Sequence, residues 1–147
     1  ASPLIDLQTA VVQRLATDKD LLILLPIDLA AEEEKDRRLY DYIPEEVESS
    51  YIHVDAPYTS RVLVKPQQLV NVSLTLHIWH NQALSGEYGN DVPAQLLQAA
   101  KNALRYQLSM PHYKVLKVTV SNERIFEDIN ADVKHGVLSF TYRLEAK

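Results

Sequence analysis

Hydrophobic and polar residues alternate along the stretch from Val70 to His80. The aliphatic positions are Val70, Val72, Leu74, Leu76 and Ile78. A period of two predicts a β-strand with one buried face. The other face carries polar residues and Trp79, a large ring that a lone soluble domain seldom leaves in water. We therefore expect this second face to be hidden by assembly with another chain.

A helical pattern occupies the first 25 residues. Leu4, Leu7, Val11 and Leu15 recur at helical spacing behind Ser2-Pro3. Serine is a good N-cap and proline fits the first helical position, so this stretch predicts an amphipathic helix. A second, short apolar stretch follows Thr17, which we expect to act as its N-cap, and Pro26 ends it. The pattern predicts an αα-hairpin over about 3–25.

The rest of the chain alternates between strand and helix patterns. Besides the strand at 70–80, strands are predicted at Tyr51–Asp55, 116–126 and 137–144, and a longer helix at 93–108. Leu39–Ile43 alternates only briefly, as a short edge strand does, and Arg61–Val64 would extend the next strand or pair with it. The prediction is therefore an α+β fold, in which a mostly antiparallel sheet of four to five strands packs with the N-terminal hairpin and the longer helix. We expect a single domain over 1–147, with flexible loops at 26–38 and 81–90.

Composition narrows the functional classes. The 147 residues include 20 acidic and 15 basic side chains, a net charge of −5, which argues against a general nucleic-acid binder. With three glycines, no phosphate-binding glycine loop is present. No apolar run approaches the length of a membrane span, and no secretory signal pattern opens the chain, so a soluble cytoplasmic protein is the default expectation.

No residue pattern points to catalysis. His77 and His80 are three apart on a predicted strand, so they should lie on opposite faces and not share a metal. Cysteine is absent, and Asp41 with the neighbouring acids Glu45, Glu46 and Glu48 is typical of a solvent-facing loop. We predict no catalytic, cofactor-binding or metal-binding residue. A small-ligand or enzymatic α+β domain remains the alternative.

Aromatic and charged residues supply the candidate interface. Its members are Tyr40, Tyr42, Trp79, Glu32, Glu33, Glu34, Arg37, Arg38, Arg61 and Arg124. One interpretation is ordinary packing of the rings and a solvated charge run. The other is a surface for partner subunits, because tyrosine, tryptophan and arginine are enriched at interfaces. The residues alone leave both open.

The ordered set of segments resembles a known family. It comprises the N-terminal amphipathic helix ending at Leu15, the short helix with Asp20–Leu22, Leu39–Pro44, Ser50–Val54, Leu74–Trp79, the helix at 93–108 and His135–Arg143. In this order they are similar to the tail-completion proteins (tail terminators, or head-to-tail joining proteins) of long-tailed bacteriophages. The sequence departs from the family pattern at 26–38 and 81–90.

The resemblance implies a structural, non-enzymatic function. Such proteins form rings, typically of six subunits, which cap the tail tube and then offer a docking surface to the head connector or another neck protein. DNA passes through the ring without specific binding. The resemblance places the protein in the tail–neck region of a virion, assembled in the host cytoplasm, with no cofactor and no membrane partner. Another neck or tail-tube component is the alternative.

Overall fold

The computed structural model describes residues 2–44, 47, 49–62, 69–105, 108–127 and 132–147, and leaves the side chains of 60–62 and 127 undescribed. Four helices and six strands lie in these ranges. They are α1 (Pro3–Thr17), α2 (Lys19–Leu24), β1 (Leu39–Tyr40), β2 (Tyr51–Val54), β3 (Tyr58–Val62), β4 (Leu69–Asn81), α3 (Gln82–Ser85), α4 (Asp91–Arg105), β5 (Tyr113–Glu127) and β6 (Val133–Ala146), with a 3₁₀ turn at Glu34–Asp36.

The strands form one sheet in the order β1-β2-β4-β6-β5, and β3 also pairs with β4. Only the β1–β2 pair is parallel among these strands; the other pairs are antiparallel. The predicted α+β class with a mostly antiparallel sheet is confirmed. The sheet is larger than the four to five strands expected, because Tyr58–Val62 folds back on the first half of the long strand β4 while β2 pairs with its second half.

One face of the sheet is covered by helices. α4 packs on β4, β5 and β6, and α1 and α2 pack on α4. The residues that point inward are the predicted alternating set, with Val72, Leu74, Leu76 and Ile78 from β4 and Leu138, Phe140, Tyr142 and Leu144 from β6, all at most 1% exposed. Their burial supplies the main driving force for folding.

The N-terminal hairpin forms as predicted, but its second cap differs. The Ser2 Oγ accepts a hydrogen bond from the Ile5 amide at 3.4 Å at the start of α1. At α2 the capping side chain is Asp18, whose Oδ2 accepts from the Leu21 amide at 3.0 Å. Thr17 is still helical and its hydroxyl donates to the Gln13 carbonyl at 2.9 Å. Asp18 takes the cap because its backbone is extended, as an N-cap requires.

The two predicted loops contain short ordered elements. The segment 81–90 includes α3, whose Gln82 is buried and accepts from the Gly89 amide through its Oε1 at 2.8 Å. The segment 26–38 includes the 3₁₀ turn and a backbone hydrogen bond from the Asp28 amide to the Arg37 carbonyl. The flexibility expected of both segments stays a prediction.

Parts of the predicted elements lie outside the described residues. These are Leu63 and Val64 of the expected strand after Arg61, residues 106 and 107 of the longer helix, and residues 128–131 before β6. Of the helices that the structure describes, none combines the length and the apolar character needed to cross a membrane.

Candidate assembly surface

A row of aromatic rings crosses the face of the sheet opposite the helices. In register, Trp79 lies between Tyr51 on β2 and His135 on β6, and His135 lies opposite Phe126 on β5. Side chains that are directly opposite on neighbouring strands share a face and come into contact. We call Tyr40, Tyr51, Trp79, His135 and Phe126 the ring row.

The rings of this row pack on one another. Trp79 and His135 stack with centroids 3.8 Å apart and planes 7° from parallel. Tyr51 stacks on Trp79 at 6.3 Å, and Tyr40 meets Tyr51 edge-on at 5.8 Å. Phe126 meets His135 edge-on at 4.4 Å. The neighbouring rings of the same chain therefore cover much of each ring's surface. The distances between ring centroids are those at which aromatic pairs attract each other.

This packing changes the interpretation of Trp79. The residue was expected to be hidden only by assembly, yet it is half-buried in the single chain. Its indole nitrogen Nε1 is buried and meets no hydrogen-bond acceptor among the described residues. Sequence reasoning missed His135, the ring that covers Trp79 most closely, because the pairing depends on the register between β4 and β6.

Two further histidines, His53 and His77, lie beside the ring row. The His77 Nδ1 lies 2.9 Å from the His135 Nε2, and the His77 Nε2 lies 3.4 Å from the Asp55 Oδ2. His53 stacks on His77 with centroids 5.8 Å apart. The 2.9 Å contact requires one nitrogen to carry a proton and the other to lack one. Within the described part of the chain, no three histidine or acidic side chains are placed to hold a metal ion.

His80 lies on the other face, as its spacing from His77 predicted. It is 3% exposed. Its Nδ1 lies 3.1 Å from the Ser50 Oγ and its Nε2 lies 3.0 Å from the Glu87 carbonyl. This ring therefore ties the segment after α3 to the sheet.

A groove lies beside the β1 end of the sheet, between α1 and the segment that leads into β1. It encloses about 430 Å³. Apolar and charged residues line it together, among them Gln8, Val12, Leu29, Glu34, Asp41 and Tyr42. Leu29 is 41% exposed and Tyr42 57% exposed. A hydrogen bond to the Glu34 side chain raises the pKa of Tyr42 above its ordinary value. We call this the acidic groove.

Two more residues of the candidate interface, Arg37 and Tyr40, line this groove, and Arg38 lies between them in the sequence. Tyr40 is 6% exposed, and its hydroxyl donates to the Glu34 carbonyl at 2.6 Å and accepts from the Arg38 amide at 3.1 Å. Arg38 has a positive φ of 68°. The Arg37 Nε donates to the Ala31 carbonyl at 3.0 Å. These hydrogen bonds fix the path of the backbone through the charge run.

The other candidate residues lie elsewhere. Glu32 and Glu33 are exposed, and the Glu33 carboxylate is 3.4 Å from the Lys35 ammonium. The guanidinium carbon of Arg124 lies 5.2 Å from the centroid of Phe126, at the end of the ring row. The Arg61 side chain is outside the described residues. The structure thus gathers Glu34, Arg37, Tyr40 and Tyr42 at the groove. It places Trp79 and Arg124 along the ring row.

Comparisons with known proteins give a family and a fold. The family described as "Tail completion protein gp17" matches residues 9–145. A search of curated proteins finds no match. Among solved structures, a chain of "Virion of native gene transfer agent (GTA) particle" is similar over 99% of both chains, with a TM-score of 0.77 and 18% identity. "Structure of bacteriophage SPP1 gp17 protein" covers 94% of this chain and 88% of that chain, with a TM-score of 0.48 and 14% identity.

Proposed function

Because the chain belongs to the tail completion protein gp17 family, we propose that it forms a ring that caps the tail tube at its head-proximal end. It is a virion component, and its family is one of structural proteins. The capped end then joins the tube to the head connector. The family match over residues 9–145 carries this proposal, and the fold shared with the chain of the gene transfer agent virion supports it.

The proposed ring contains six copies of the chain. A closed ring needs two different surfaces on each subunit, one for each neighbour. The acidic groove and the opposite edge of the sheet are two such surfaces. A net charge of −5 per chain would give six copies roughly −30, which repels DNA from the ring and leaves its passage unspecific. No step of this function involves a reaction or a cofactor.

Deletion and addition test the function. We expect particle-producing cells that lack this gene to accumulate headless tails of abnormal length. Purified protein added to growing tubes should stop their elongation, and electron microscopy should show a ring at one end. Normal particles without the gene would contradict the proposal. Tubes that grow longer on addition of the protein would instead identify it as a tube subunit.

An exposed tyrosine tests the groove within the same assay. Tyr42→Ala should reduce capping, because it removes an exposed ring from the acidic groove without opening the core. Tyr88→Ala is the matched control, since Tyr88 is 67% exposed and lies away from that groove. Equal capping by the two variants would remove Tyr42 from the interface.

A further inference from the structure

The two ends of the sheet carry opposite charge. At the β1 end, the segment 28–41 contains six acidic and three basic residues, a net charge of −3. It forms one wall of the acidic groove. At the β5 end, residues 113–119 contain two lysines and no acidic residue. A chain that is acidic as a whole therefore presents a basic segment on β5, the edge strand at the other end of the sheet.

That strand also presents an apolar side chain at a bulge. Val115 pairs with Leu144 and Lys117 pairs with Arg143, so Leu116 is an extra residue in β5. Leu116 is 43% exposed, and Lys114 and Lys117 beside it are exposed too. We call Lys114, Leu116 and Lys117 the basic edge. Lysines and bulges on an edge strand discourage unwanted pairing, but an exposed leucine at the bulge does not serve that purpose.

We propose that the basic edge of one copy docks in the acidic groove of the next copy. Leu116 enters the groove beside its exposed apolar residues, and the two lysines face its carboxylates. This inference rests on the proposed ring and names the contact that builds it. The groove volume of about 430 Å³ is within the range of sites that enclose small ligands, so it admits a leucine side chain.

The positions of the two surfaces suit a ring. β1 and β5 end the sheet on opposite sides, so the groove and the basic edge of one chain face away from each other. Docking one to the other in a second copy leaves a free groove and a free edge for further copies. Such a heterologous contact repeats in one direction and closes when the rotation between copies divides a full turn.

Charge reversal tests the pairing. The basic-edge variant carries Lys114→Glu and Lys117→Glu. The groove variant carries Glu34→Lys and Asp41→Lys. All four residues are exposed, so both variants should fold. Each variant alone places like charges at every contact, so it should associate at least about tenfold more weakly than the wild type. Sedimentation and capping of tubes measure this.

Mixing the two variants provides the sharpest readout. In an alternating assembly, every acidic edge meets a basic groove and every basic edge meets an acidic groove. An equimolar mixture should therefore recover association, and so should one chain that carries all four substitutions. Lys19→Glu with Arg105→Glu changes the net charge as much as the basic-edge variant at exposed positions outside both surfaces, and should associate like the wild type.

The leucine is tested separately from the charges. Leu116→Asp should abolish association, and mixing with either reversal variant should not restore it. Leu84→Asp is the matched control at another exposed leucine, 63% exposed on α3. Circular dichroism checks that each variant is folded.

The outcomes distinguish a failure of the proposed contact between basic edge and acidic groove from a failure of the proposed capping function. Wild-type capping together with normal capping by both reversal variants overturns the inference and leaves the ring function standing. Loss of capping in both variants without recovery on mixing also overturns the pairing. A wild-type protein that neither associates nor caps tubes overturns the proposed function itself.

Discussion

At the scale of single residues, Tyr142 links the sheet to the end of a helix. Its hydroxyl donates to the Leu104 carbonyl at 2.9 Å. Leu104 lies in the last turn of α4, where carbonyls have no partner within the helix. Burial raises the pKa of Tyr142 well above its ordinary value of 10.0. The folded chain therefore keeps this proton at a pH at which the unfolded chain releases it.

Tyr142→Phe makes the linkage measurable. At neutral pH the variant should be less stable by about 1–2 kcal/mol, because a buried carbonyl loses its donor. Above pH 10.0 the folded wild type binds one more proton than the unfolded wild type, so its stability falls as the pH rises. The phenylalanine variant lacks this dependence, and the difference between the two proteins should shrink from pH 9 to pH 11 in urea unfolding. A constant difference over that range would contradict the assignment.

Residue-scale prediction from sequence succeeded where the determinant was local. Ser2 caps α1 as expected, because the cap depends on the next few residues only. Thr17 failed as a cap since α1 extends through Thr17, two residues beyond the last residue of its apolar stripe, which makes Asp18 the first extended residue. The buried partner of Tyr142 could not be predicted, because it lies on another element.

At the scale of elements, periodicity predicted faces but not neighbours. The alternation over 70–80 correctly placed Val72, Leu74, Leu76 and Ile78 in the core, with Val70 partly buried against it. It could not predict that His135 covers Trp79, because that contact depends on how β4 and β6 align. It could not predict the bulge at Leu116 either, since an extra residue is defined only against a partner strand. The sequence named the tyrosines and part of the charge run that line the acidic groove, but it did not reveal His135 or the basic edge; that these residues form an interface stays a prediction.

Trp79→Ala tests whether the ring row stabilises the single chain. Because Trp79 stacks on Tyr51 and His135 and is half-buried, its removal should cost about 2–3 kcal/mol, less than for a fully buried tryptophan. Denaturant unfolding of the dissociated protein measures this. Tyr58→Ala is the control, since Tyr58 is 57% exposed. If Trp79→Ala is as stable as the wild type, the ring row does not stabilise the single chain.

At the scale of the whole molecule, charge is distributed along the direction in which the proposed ring grows. The acidic segment 28–41 lies at one end of the sheet and the basic edge at the other. A net charge of −5 alone predicts that copies repel one another. Because the charge is unevenly distributed, copies attract each other when the basic edge of one faces the acidic groove of the next. The same charges disfavour contact between two grooves.

Salt therefore provides a test of the whole-molecule arrangement. The screening length is about 10 Å at 0.1 M salt and about 3 Å at 1 M, so attraction between exposed surfaces weakens as sodium chloride is added. We expect association to weaken by about tenfold between 0.05 M and 1 M in sedimentation experiments. The loss caused by Leu116→Asp should persist at every salt concentration, because an apolar contact is not screened. Association that strengthens with salt would mean that repulsion between copies dominates, and that the two ends of the sheet do not meet.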